Sequence, residues 1–441
     1  MTTLVSYPVR ELHGTTSVPG DKSISHRALI LGACAIGETR IEGLLDAEDV
    51  RATANALKAL HVTIRQEEST IWRVHGRGVG GLSEPESVLD LGNSGTGVRL
   101  LMGAVASHPF TTFFTGDRSL CSRPMQRVIA PLTEMGGRFT ARSGGRLPVA
   151  VIGATEPMPM TYAMTVPSAQ VKTAVLLAAL NAPGTTTVVE PEASRDHTEM
   201  MLADFGAAIE VDALAGGGRK ISLMGEPELY GRAVTVPGDI SSAAFAIVAA
   251  LITEGSSLTI EGVGVNPLRT GILETLAEMG ADVNVADAGS AGREPIADLA
   301  VRSCPLQGVK VPRHRVPSMI DEIPVLAVAA ACAHGETRME GLGELRVKES
   351  DRLAAIARGL AQCGVEVEHG QDWIVIHGAG GSPPGDACIP VALDHRIAMA
   401  FLVLGCASGK PVAIDDAEAI GTSFPQFVAL MNRLGADIRG R

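Results

Sequence analysis

The sequence predicts an α/β protein built from six similar units, three in each of two domains. Three observations carry this. One kind of segment recurs along the 441 residues: a polar or Gly/Pro turn, an Ala/Leu/Val-rich helical run, a short turn, and a strand-like run. Two copies are almost the same text, ACAIGETRIEGL from Ala33 and ACAHGETRMEGL from Ala331. A second helical stretch often follows and closes on a glycine and a short strand, as in TGILETLAEMGADVNV and RLAAIARGLAQCGVEVEH.

The six segments begin at Gly20, Gly92, Pro167, Gly238, Asp321 and Asp394. That spacing predicts units of about 70 residues with two helices and several short strands each. The first helix of each unit is apolar on all sides, so it is expected inside rather than on a surface. The glycine after the second helix sits where a left-handed C-cap is needed. The units divide as 21–236 and as 1–20 plus 237–441, with crossovers near 17–21 and 236–239.

Composition narrows the function. The formal net charge is -12, which disfavours general nucleic-acid binding but leaves room for a local cationic pocket. Hydrophobic residues make up 46% and aromatics only 3%, so the core must rest on Ala, Val, Leu and Ile. The seven cysteines form no CxxC pair, as expected of reduced thiols in a cytoplasmic protein. The eleven histidines show no HxxxH or HExxH spacing, so no metal is expected. MTTLVSYPVRELHG lacks the apolar stretch of a signal peptide, and no run approaches the ~18 apolar residues of a membrane span.

The polar groups gather at helix starts. Free N–H groups and the helix dipole make such ends attract anions. In PGDKSISHRALIL, Lys22, Ser23 and Arg27 crowd one start; SRPMQRV carries Arg123 and Arg127, and VKESDRL carries Lys348 and Arg352. Like charges at i,i+4 weaken a helix by a few tenths of a kcal/mol, unless a bound dianion reverses the sign. LGNSGTGVRLL places Asn93, Ser94, Gly95 and Thr96 at a helix entry, and PSAQVKTAVLL does the same with Ser168, Ala169, Gln170 and Lys172. Asp321 and Glu322 precede an apolar helix, as capping carboxylates or as a general base. GRGVGG at Gly76 matches a dinucleotide-binding spacing, but LSEPESVLDLG follows where a helix would have to begin, so a loop is expected.

These motifs, with RDHTEMML, DEIPVLAVAA and DHRIAMA, resemble the 5-enolpyruvylshikimate-3-phosphate synthase family, in order and over nearly the whole chain. SAQVK, RPMQR and RDHTE are similar to its bacterial class II branch. The resemblance implies the two-domain enolpyruvyl transferase fold, an inside-out α/β barrel of three βαβαββ units per domain with the active site in the interdomain cleft. It implies transfer of the enolpyruvyl group of phosphoenolpyruvate to shikimate 3-phosphate, step six of the shikimate pathway, by a cytoplasmic monomer that needs no cofactor.

Residue by residue, it assigns shikimate 3-phosphate to Lys22, Ser23, Arg27, Ser168, Ala169, Gln170, Arg195, Asp321 and Lys348. Phosphoenolpyruvate falls to Lys22, Asn93, Gly95, Arg123, Gln170, Arg352 and Arg396. Asp321 would be the base for the attacking 5-hydroxyl, and Glu349 or Lys22 would move the proton on C3. Glyphosate would compete at the phosphoenolpyruvate site, where Gly95 leaves room. The sequence departs from the family at two places. Ser423 in TSFPQF replaces a lysine and is assigned no role, and Ala169 lacks a hydroxyl. Two alternatives stand beside this reading. One is the sister enzyme acting on UDP-N-acetylglucosamine, whose loop cysteine Cys121 would supply; that family begins with a Lys-Asn pair and lacks DKSISHR and KESDR. The other is a non-catalytic anion-binding module.

Overall fold

The computed structural model describes residues 3–440. Within them are six four-stranded sheets and twelve α-helices, two helices and one sheet for each predicted unit. The helices pair along the chain as Lys22–Cys34 (α1) with Glu48–Ala59 (α2), Gly95–Ala106 (α3) with Gln126–Glu134 (α4), and Ala169–Ala179 (α5) with His197–Phe205 (α6). Ile240–Ile252 (α7) with Gly271–Glu278 (α8), Ile323–Cys332 (α9) with Arg352–Gln362 (α10), and His395–Ala407 (α11) with Phe427–Arg433 (α12) complete the set.

The chain forms two compact units. One holds the described residues through Pro19, Pro237–Gly289 and those from Pro295 onward; the other holds Gly20–Val236 and Ser290–Glu294. Each has its own apolar core and three of the sheets.

In every sheet one edge strand runs parallel to its neighbour. Two of these edges come from sequence-distant strands. Ala233–Thr235 lies beside Ile36–Glu42, and His13–Ser17 beside Ser257–Gly264. Strand Leu4–Tyr7 sits between Val412–Ile414 and Asp437–Gly440, so the sixth sheet needs residues from both ends of the described chain.

The first helix of each pair is buried, α9 and α11 along their full length. Small side chains permit this: a Cβ on Gly103 of α3 would lie 2.3 Å from the Ala174 carbonyl oxygen of α5, so these helices touch backbone to backbone. The second helices are half-exposed, and α8 and α10 end on Gly280 and Gly364 at φ +84° and +82°, the left-handed geometry expected from sequence.

Helix starts are fixed by side chains. Asp21, Ser94, Ser168, Asp239, Asp351 and Asp394 each accept a backbone N–H of the turn they precede. Glu322 precedes α9 without making such a bond, so its sequence reading as a capping carboxylate fails. GRGVGG runs from the strand Ile71–Arg77 into a turn with no helix behind it.

Candidate active site

Two polar clusters gather the residues singled out by sequence, one in each unit. In the unit around Gly20–Val236, Lys22 opens α1 and its ammonium pairs with Asp49 of α2 at 2.5 Å. One turn on, Arg27 is 3% exposed. Its guanidinium donates to Thr198 Oγ1 at 2.7 Å, to the Ser23 carbonyl at 2.8 Å and to Thr173 Oγ1 at 2.8 Å, all neutral acceptors. Burial pushes Arg27 down to about 10; Glu199 and Asp21 oppose this, and Arg195 adds to it. Arg27 therefore stays charged at neutral pH with no carboxylate in direct contact.

The starts of α3 and α5 meet beside it. Gln170 donates to Thr96 Oγ1 at 2.9 Å and accepts from Arg99 at 3.1 Å, while Arg99 also reaches the Gly95 carbonyl at 3.0 Å. Arg123 is buried and donates to the Asn93 side chain and to Ser119 Oγ at 3.0 Å. Asn93 is anchored in turn by Asp117 at 2.7 Å. A Cβ on Gly95 would lie 2.8 Å from Arg123 Nη1 and 3.0 Å from Arg99 Nη1. Ser168 caps α5, Ala169 begins it, and Arg195 stands half-exposed in the turn before α6.

In the other unit, Arg352 is 1% exposed at the start of α10. It donates to Asp394 at 2.8 Å, to Glu349, and to Asp321 at 3.3 Å. Burial alone would lower it, but Asp394, Glu349 and Asp321 together hold it well above its ordinary value. Arg396 donates to the Asp321 carbonyl at 3.0 Å and lies 3.9 Å from its carboxylate. Lys348 is half-buried just before α10. Ser423 follows the short 3-10 turn Glu418–Thr422, and its backbone N–H bonds the Ile420 carbonyl.

Two of the i,i+4 cation pairs expected from sequence do not form on a helix. Arg123 and Lys348 lie outside the helices that hold Arg127 and Arg352, because Met125 and Asp351 are the N-caps. Those pairs are not like charges on one helix face. Arg123 is instead turned to Asn93 and Ser119, and Arg127 is exposed. Sequence reasoning also passed over Arg99, Asp49, Asp394 and Thr198. Arg99 had a signal, since it stands four residues beyond Gly95 at a helix start, as Arg27 does beyond Ser23.

This arrangement of repeated βαβαββ units is the enolpyruvyl transferase fold. The enolpyruvyl transferase NikO from Streptomyces tendae superposes with a TM-score of 0.79 over 100% of this chain and 99% of its own, at 20% identity. More specifically, residues 7–431 match the EPSP synthase (3-phosphoshikimate 1-carboxyvinyltransferase) family, and the chain belongs to it. It is 61% identical to a 3-phosphoshikimate 1-carboxyvinyltransferase of Paramagnetospirillum magneticum, over 97% of this chain and 96% of that one. The Rhodospirillum rubrum protein of the same name is 57% identical over the same shares. The solved EPSP synthase of Acinetobacter baumannii is 43% identical with a TM-score of 0.88, each chain fully covered.

Proposed function

We propose that this chain transfers the enolpyruvyl group of phosphoenolpyruvate to the 5-hydroxyl of shikimate 3-phosphate, giving 5-enolpyruvylshikimate 3-phosphate and phosphate. The observation that carries this is Arg27: a buried guanidinium with only hydroxyl and carbonyl acceptors calls for an anion to complete its charge. Ser168, Gln170 and Arg195 supply further donors to the phosphorylated substrate. Arg123, Arg352 and Arg396 clamp phosphoenolpyruvate, a task that suits the fork of arginine.

In the reaction, Asp321 accepts the proton of the 5-hydroxyl as its oxygen attacks C2. C3 gains a proton from Lys22 or Glu349, giving a tetrahedral intermediate. Loss of phosphate from C2 and of a proton from C3 restores the enol ether. Arg352 and Arg396 hold the Asp321 carboxylate in place before attack. The same reading makes glyphosate a competitor of phosphoenolpyruvate and the working form a cytoplasmic monomer. No helix among the described residues is long and apolar enough to cross a membrane.

The test is phosphate release by purified protein given phosphoenolpyruvate with either shikimate 3-phosphate or UDP-N-acetylglucosamine, with Asp321→Ala in parallel. Release only with shikimate 3-phosphate, lost in the variant, supports the reading. Release with the nucleotide sugar, or with neither, overturns it.

A further inference from the structure

One buried charged cluster has no place in that mechanism. Lys172, on α5, has no exposed surface. Its ammonium lies 2.9 Å from Glu190 and 2.6 Å from Glu199, both buried, and 3.3 Å from the Ser194 carbonyl. Ser194 closes the cluster, its hydroxyl donating to Glu190 and its backbone N–H lying 3.5 Å from the same carboxylate. Burying one cation with two carboxylates is costly, and an apolar trio of similar volume would pack at least as well. The cluster therefore needs a reason other than stability.

Its connections supply one. Lys172 lies between Ser168, which caps α5, and Thr173, whose hydroxyl bonds Arg27 at 2.8 Å and Thr198 at 2.6 Å. Glu199 follows Thr198, which holds Arg27 Nε, and Ser194 precedes Arg195. Thus the ammonium ties the first turn of α5 to the segment 194–199 on both sides of Arg195.

We propose that Lys172 is a positioning residue for the phosphate of shikimate 3-phosphate, locking Ser168, Arg195 and Arg27 into one fixed set of donors. This rests on the functional reading above. Lys172 touches no substrate; it acts by holding the segment that does. Glu199 is pushed upward by burial and drawn back down by Lys172, so the ion pair depends on the lysine.

The experiment compares Lys172→Met with the double variant Lys172→Met/Glu199→Gln, which lessens the stranded negative charge without restoring the tether. Loss of charged hydrogen bonds that order a site predicts a KM for shikimate 3-phosphate raised about tenfold or more in both variants. The KM for phosphoenolpyruvate and kcat should stay within about threefold, because the clamping arginines Arg123, Arg352 and Arg396 lie outside α5 and the segment 194–199. Hydrogen exchange of the free protein should show faster exchange of the Ser194 amide in both variants. An unchanged KM for shikimate 3-phosphate in the folded double variant overturns the proposal. So does an equal rise for both substrates, or a double variant that regains wild-type KM together with stability. If Lys172→Met fails to fold, the double variant carries the test. If wild-type protein turns over neither substrate pair, the functional reading fails, and unaltered exchange at Ser194 would independently remove the tether.

Discussion

Arg352 Nε and Asp394 Oδ2 meet at 2.8 Å with both side chains out of water, and the other Asp394 oxygen caps α11 at the Arg396 N–H. One carboxylate thus anchors two of the proposed phosphoenolpyruvate ligands. Arg352 keeps Glu349 and Asp321 when Asp394 is removed, so Asp394→Ala loses one charged hydrogen bond and the α11 cap and should cost about 2–4 kcal/mol. Urea unfolding of the purified variant measures this, and a loss below about 1 kcal/mol would contradict the burial argument.

Arg27→Lys keeps the charge but cannot reach Thr198, Thr173 and the Ser23 carbonyl together. The KM for shikimate 3-phosphate should rise about ten- to a hundredfold, with a smaller effect on phosphoenolpyruvate. Steady-state phosphate release with each substrate varied in turn gives both values.

Gly95→Ala introduces a methyl 2.8 Å from Arg123 Nη1, which must move aside. A site narrowed by one methyl discriminates between ligands of different size, by about tenfold or more. Glyphosate inhibition should therefore weaken more than the KM for phosphoenolpyruvate rises. Equal inhibition of both proteins would remove the steric argument.

His26 is fully buried, with Nδ1 at 2.8 Å from Thr53 Oγ1. Burial pushes it well below 6.5, Lys22 and Arg27 add to this, and Asp21 opposes it. Above about pH 6.5 the group is neutral folded and unfolded, and it contributes no pH dependence. Below that, the unfolded chain takes up a proton that the folded one refuses, so stability falls by up to about 1.4 kcal/mol per pH unit from this group. Urea midpoints at pH 7 and pH 5 should differ less in His26→Gln than in the wild type.

Cys121 is half-buried and its thiol donates to the Gly116 carbonyl at 3.3 Å. The proposed reaction uses no thiol, so Cys121→Ser should keep phosphate release with shikimate 3-phosphate within about twofold. Loss of activity would return the nucleotide-sugar reaction to consideration.

The repeat pattern made the fold legible. ACAIGETRIEGL and ACAHGETRMEGL each run from a buried helix into a strand of the same sheet position, Ile36–Glu42 and His334–Glu340. What the pattern could not reveal was the partner of each charge. Asp394 reads as one more helix cap in DHRIAMA, and only folding brings it to Arg352, forty-two positions earlier. Asp49 and Thr198 are hidden likewise, since neither stands near Lys22 or Arg27 in sequence. The paired cations misled because N-caps at Met125 and Asp351 fall between their members, and single-sequence reasoning places helix ends poorly.

The sixth sheet sets a timetable for synthesis. Strand Leu4–Tyr7 is made before both of its neighbours, Val412–Ile414 and Asp437–Gly440. Until those emerge from the ribosome, Val5 has no sheet in which to bury and both edges of its strand stay open. Closing so distant a contact is entropically slow. Assembly of this sheet is therefore a late event, and the waiting strand is where a chaperone would do most good.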